Sequence, residues 1–124
     1  MDIITTDGAP KAIGPYSQAI KAGNVLYTSG QIALDPATGN LVEGDFGAQA
    51  KRVFENLGSV LAAAGAGFGN VVKATVYVTD LANFATLNEI YASYFGDSKP
   101  ARTTVGVSQL PKGGLVEIDL VAIL

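Results

Sequence analysis

Arg102 and Glu117 are the two residues whose types and setting invite chemistry. Arg102 opens an apparent strand after Lys99-Pro100-Ala101 and shares a face with Thr104 and Gly106. A guanidinium there can grip a small carboxylate through two parallel hydrogen bonds, with the small neighbours leaving room beside it. The competing use is an ordinary surface ion pair. Glu117 and Asp119 interrupt a final strand on the face that also carries Leu115, Val121 and Ile123. A carboxylate among so much apolar surface needs either a partner or a raised pKa. The turn Pro111-Lys112-Gly113-Gly114 between the two segments suggests neighbouring antiparallel strands, which would bring Arg102 near Glu117.

Other positions could complete a pocket. Gly14-Pro15-Tyr16-Ser17-Gln18 reads as a turn delivering Tyr16, whose phenol can line a wall and donate a hydrogen bond. Thr28-Ser29-Gly30-Gln31 sets a glycine inside a strand pattern, a sign of a bulge or of another group approaching the backbone closely. The glycine run from Gly65 to Gly69 follows a helix rather than preceding one, so it fails the phosphate-binding pattern.

The chain has no histidine and no cysteine, so zinc, disulfide and thiolate chemistry have no residues to use, and the acids lack calcium-loop spacing. No metal is expected. A formal charge of −3 gives no general attraction for nucleic acid. No apolar run is long enough to span a bilayer, and the first residues do not read as a signal peptide, so a cytoplasmic protein without membrane contact is expected.

The elements that must position these residues follow from periodicity. Phe46, Ala50, Val53, Leu57 and Val60 recur at helical spacing, with Asp45 as N-cap and Gly65 as terminator, predicting a helix over 46–64. Asp80 caps a second helix with Leu81, Phe84, Leu87, Tyr91 and Phe95 on one stripe, ended by Gly96; Asn88 and Glu89 lie beside that stripe. Val72, Ala74, Val76 and Val78 alternate with polar partners as one strand, and segments near 16–21, 24–33, 101–108 and 115–124 read as others. With 48% hydrophobic residues over 124, residues 1–124 are expected to form a single α+β domain around a mixed sheet. Two helices cover only one sheet face, yet the last strand is apolar on both. Copies of the chain, sheet faces turned inward, are the expected cover.

Five stretches in order, Ala12-Ile13-Gly14-Pro15-Tyr16-Ser17-Gln18, Thr28-Ser29-Gly30-Gln31, Val78-Thr79-Asp80-Leu81-Ala82-Asn83-Phe84, Pro100-Ala101-Arg102-Thr103-Thr104-Val105 and Leu110-Pro111-Lys112-Gly113-Gly114-Leu115-Val116-Glu117-Ile118, resemble the RidA (YjgF) family of reactive intermediate deaminases. The resemblance implies a chorismate-mutase-like fold of the bacillary type, with two helices on one face of a mixed sheet, assembled as a homotrimer with sites between subunits. It implies cofactor-free hydrolysis of 2-iminobutanoate and 2-iminopropanoate, derived from enamines such as 2-aminoacrylate, to 2-oxo acids and ammonia. It assigns Arg102 and the Thr104 backbone N–H to the substrate carboxylate, the Gly30 carbonyl to the imine nitrogen, and Glu117 to the attacking water. Tyr16, Ser29, Asn88 and Thr103 complete the wall. Many relatives carry cysteine where this chain has Thr104, so thiol-based roles have no support here. The alternatives are a non-catalytic sensor of a 2-oxo acid or similar small carboxylate and, with less support from an acidic chain lacking histidine, a ribonuclease or translation inhibitor.

Overall fold

The computed structural model describes the whole chain, Met1–Leu124. Its strands are β1 (Asp2–Ile4), β2 (Ala19–Ala22), β3 (Val25–Thr28), β4 (Val71–Val78), β5 (Ala101–Gly106) and β6 (Val116–Ile123). Its helices are α1 (Phe46–Ala63) and α2 (Phe84–Phe95). The strands form one six-stranded sheet in the order β1-β2-β3-β6-β4-β5, antiparallel except for the β4–β5 pair. The fold is therefore α+β with a mixed sheet.

Both helices begin as their capping residues dictate. The Asp45 carboxylate accepts from the Ala48 N–H at 3.0 Å, supplying a partner for one of the free donors of the first turn of α1. Asp80 does the same for Ala82 at 2.9 Å, but it caps a short 3-10 turn (Leu81–Asn83) that leads into α2 rather than α2 itself. Gly65 and Gly96 end the helices at φ 76° and 57°, where a Cβ would be strained.

The core lies between helices and sheet. Val53, Phe54, Leu57, Val60 and Leu61 of α1 and Leu87 of α2 are fully buried against Ala74, Val76, Val116 and Ile118 of the sheet. Phe54 stacks on Tyr94 at 4.8 Å and meets Tyr91 and Phe95 edge-on, tying the two helices together. The other sheet face is less covered: Tyr27 is 51% exposed and Ile123 39%.

The strand boundaries depart from expectation at particular residues. The predicted strand 16–21 starts only at Ala19, because Gly14 and Tyr16 are closed in a turn by a Tyr16 N–H to Gly14 carbonyl bond of 2.9 Å. The run 24–33 breaks after Thr28 and touches the sheet again only where Gln31 bridges Ile118. β1 lies outside the predicted strands, because three residues are too few to show a period. Val72 does not share the face of Ala74, since the register shifts between Val71 and Lys73 and leaves Val72 45% exposed at a bulge.

The most consequential difference concerns β5 and β6. They are not neighbours. The residues from 107 to 115, including the Pro111–Gly113 turn, carry the chain past β4, which lies between them.

Candidate active site

The register decides where each candidate points. Ala74 pairs with Arg102 on one side and Leu120 on the other, so these three share the helix-covered face. Tyr77 pairs with Glu117, and Thr75 with both Asp119 and Thr103, on the opposite face. Within one chain Arg102 and Glu117 therefore lie on different faces of the sheet, with a strand between them. The expected proximity of the two is corrected on both counts.

Around Arg102 the chain builds a cation seat. Arg102 Nη1 donates to Asn88 Oδ1 at 2.9 Å, and its Cζ sits 4.7 Å from the Tyr91 ring centroid and 5.4 Å from that of Phe84. Asn88, placed beside the apolar stripe of α2, is thus aimed at the guanidinium. Burial raises the Tyr91 phenol above its usual range, against a smaller opposing effect of Arg102. The space expected beside Gly106 is filled by Leu81, whose side chain would meet a Cβ there at 3.4 Å. The Thr104 hydroxyl is shielded from solvent without a hydrogen-bond partner. Thr103 points away from Arg102, and its hydroxyl accepts from Lys73 Nζ at 2.8 Å.

Around Glu117 the chain builds a cleft of about 320 Å³ whose lining includes Tyr16, Gly30, Gln31, Ile32 and Glu117. Glu117 lies so close over Gly30 that any Cβ at position 30 would overlap its Oε2. No backbone N–H donates to the Gly30 carbonyl. Gln31 continues by exchanging two backbone bonds with Ile118, at 2.9 and 3.1 Å, which fixes the segment against β6. The Ser29 hydroxyl donates to the Ser17 carbonyl, tying the Tyr16 turn to the same segment. Buried Gln18, which also lines the cleft, ties the end of that turn to the preceding segment, donating to the Pro10 carbonyl at 2.8 Å and accepting from the Thr6 N–H at 2.7 Å. Gln18 has a supporting role that its place in the Tyr16 motif alone could not reveal.

Desolvation raises the Glu117 pKa above the ordinary carboxylate range, and the charge of Asp119 adds to the effect. Asp119 is itself raised by burial, while the neighbouring Tyr77 and Thr75 hydroxyls pull it the other way. The open face thus carries two reluctant acids, one of them in a cleft beside a phenol and an unused carbonyl. Such an acid can hold a water and take its proton.

One chain consequently presents two half-sites. Tyr16, Gly30 and Glu117 meet in the cleft; Arg102 and Asn88 meet on the other face. The sequence profile of the endoribonuclease L-PSP family matches residues 6–124. The chain belongs to that family, the RidA (YjgF) proteins. Among its relatives, a RutC family protein of Pyrococcus horikoshii is 54% identical over 121 residues, covering 98% of this chain and 96% of that one. The human 2-iminobutanoate/2-iminopropanoate deaminase is 50% identical over 121 residues, covering 98% and 88%. In three dimensions the chain is similar to RidA from an Antarctic Psychrobacter, with a TM-score of 0.96 at 48% identity and full coverage of both chains. It is also similar to Escherichia coli TdcF solved with bound serine, with a TM-score of 0.95 at 41% identity, covering 100% and 99%. No helix of this RidA-family chain is long and apolar enough to cross a membrane.

Proposed function

We propose that the chain hydrolyses 2-imino acids, 2-iminobutanoate and 2-iminopropanoate among them, to 2-oxo acids and ammonia in the cytoplasm, using no cofactor. The observation that carries this reading is Glu117, a desolvated acid held over Gly30 inside a cleft. Relatives half identical to this chain and named for that deaminase activity support the substrate class.

In this reading Arg102, pre-oriented by Asn88, holds the substrate carboxylate with help from the Thr104 N–H. The Gly30 carbonyl accepts from the iminium N–H, and Tyr16 closes the wall. Glu117 takes a proton from water as the water oxygen bonds to C2, and the C=N electron pair moves to nitrogen. Glu117 returns that proton to the nitrogen of the resulting carbinolamine, ammonia leaves as the C2=O bond forms and the hydroxyl proton passes to Glu117, and that proton then goes to the released ammonia, restoring the carboxylate. The net change converts one iminium carboxylate and one water to one 2-oxo carboxylate and one ammonium. Orientation and proton transfer of order 100-fold each suffice, since imines are already reactive toward water.

The two half-sites lie on opposite faces of one chain, so the full site needs a second copy to bring an Arg102 to a Glu117. We assign this to a homotrimer of one-domain chains in the chorismate-mutase-like arrangement, the open sheet faces turned inward. Thr103, directed away from Arg102, contributes through its position in β5 rather than through its hydroxyl, and Ser29 through its hold on the Tyr16 turn. A sensor would gain nothing from an acid facing its anionic ligand, which favours the hydrolase. An RNA-cleaving reading lacks both a histidine and a net positive charge.

The test couples a threonine or serine dehydratase to the protein and follows imine loss and oxo-acid appearance. Acceleration that disappears in Arg102→Ala supports the reading; wild-type protein without acceleration removes it.

A further inference from the structure

Before a second copy adds its Arg102, the cleft of one chain is larger than a three- or four-carbon imino acid requires, and its own charges are mainly cationic. At about 320 Å³ it reaches the range of pockets that hold drug-sized ligands. Its charged lining is Lys11, Lys112 and Glu117, two cations against one acid, in a chain whose totals are 8 basic and 11 acidic residues. The local sign is thus opposite to that of the molecule, and a concave wall concentrates such a field.

Neither lysine is neutralised by a neighbour. The one ion pair in the chain joins Arg52 to Glu55 at 3.8 Å, away from the cleft. Lys11 has no hydrogen-bond partner, and Lys112 Nζ donates only to the Gly39 carbonyl at 3.3 Å, which leaves donors unused. Lys112 also holds a left-handed backbone, φ 57° and ψ 21°, in a turn whose next residue is a glycine able to adopt it without strain. The same lining includes the aliphatic side chains of Ile13, Ile32 and Leu34. An aliphatic stem ending in an anion matches that combination of surfaces.

We infer that the cleft takes 2-imino acids, and the corresponding 2-oxo acids, whose side chain ends in a second carboxylate, held by Lys11 and Lys112. The inference rests on the cleft being the substrate site and adds a substrate class to it. The distal carboxylate lies toward the lysines, away from Glu117, while the reacting carbon lies beside the acid. Dicarboxylic amino acids are the class of precursor whose two-electron oxidation at the Cα–N bond, by an oxidase or dehydrogenase, would supply such imines.

Binding of non-reacting products tests this without relying on turnover. Calorimetry compares 2-oxoglutarate with 2-oxopentanoate, equal in chain length and differing in a terminal carboxylate against a methyl. The wild type is expected to bind the diacid about tenfold more tightly at low salt, with the preference shrinking as salt is raised. In a Lys11→Met/Lys112→Met double variant the ratio should fall close to one. Equal or tighter binding of the monoacid by the wild type, or a ratio that survives the double substitution, overturns the inference. A retained diacid preference without imine hydrolysis would instead remove the hydrolase reading and leave this one standing.

Discussion

Glu117 rests on the bare Cα of Gly30: its Oε2 occupies the space that a Cβ at position 30 would need. The contact explains the glycine by close approach rather than by backbone conformation, since Gly30 has no positive φ. It also holds the acid beside a carbonyl left free for a ligand. In Gly30→Ala the carboxylate must shift, and near the reacting centre a displacement of about 1 Å costs on the order of 100-fold in rate. Steady-state kinetics on dehydratase-generated imine should show that loss in kcat, with circular dichroism unchanged.

The raised pKa of Glu117 makes a prediction about stability with a definite sign. Its folded pKa lies above the unfolded value, so the folded state binds more protons between the two and loses stability as pH rises through that window. Glu117→Gln removes the penalty of ionising a desolvated acid. Its Tm should exceed that of the wild type at pH 7, and the difference should close as pH falls below the usual carboxylate range. The same substitution should lower kcat about 100-fold or more while 2-oxo acid binding persists. In the wild type, the acid limb of the kcat/KM profile, which reports the free enzyme, should lie above the ordinary glutamate range, where Glu117 becomes able to accept a proton.

Arg102 is seated by Asn88 and two aromatic rings, so its contribution is geometric as well as electrostatic. Arg102→Ala should weaken 2-oxobutanoate binding about 30-fold or more. Arg102→Lys keeps the charge but loses the fork and the flat face, and should recover only a small part of that. Asn88→Ala should give an intermediate loss. Calorimetric titration of the three variants gives the order directly.

Asn56 is fully buried on α1 and carries one wall of the cleft. Its amide donates to the Leu34 carbonyl at 2.9 Å, while its Oδ1 accepts from Arg52 Nε at 3.0 Å. Asn56→Leu leaves the carbonyl and the guanidinium without these partners, at a cost of about 1–3 kcal/mol. Urea denaturation should show that loss. Because Ile32 and Leu34 line the cleft, binding should weaken as well.

These residues also show what was legible before the fold was known. Asp45, Gly65 and Gly96 marked helix ends because capping is local chemistry, and the buried stripe of α1 stands where its period put it. Gly30 signalled a close approach, but only the fold identifies Glu117 as the group that approaches. The order of β4, β5 and β6 was not legible, because a short turn such as Pro111–Gly113 suggests a hairpin whether or not the flanking strands pair. That single error placed Arg102 beside Glu117. Asn56 and Gln18 carry no such local signal, since a buried amide inside an apolar pattern has meaning only once the carbonyls it serves are known.

The central claim is that Arg102 of one copy works with Glu117 of another, and subunit complementation tests it most directly. Arg102→Ala and Glu117→Gln proteins, each inactive alone, are dissociated, mixed in equal amounts and reassembled. If the two residues act across an interface, random assembly leaves about one quarter of the sites with both native partners, and that fraction of wild-type activity should return. If both act within one chain, every chain in the mixture carries a defect, and the mixture would stay as inactive as its components.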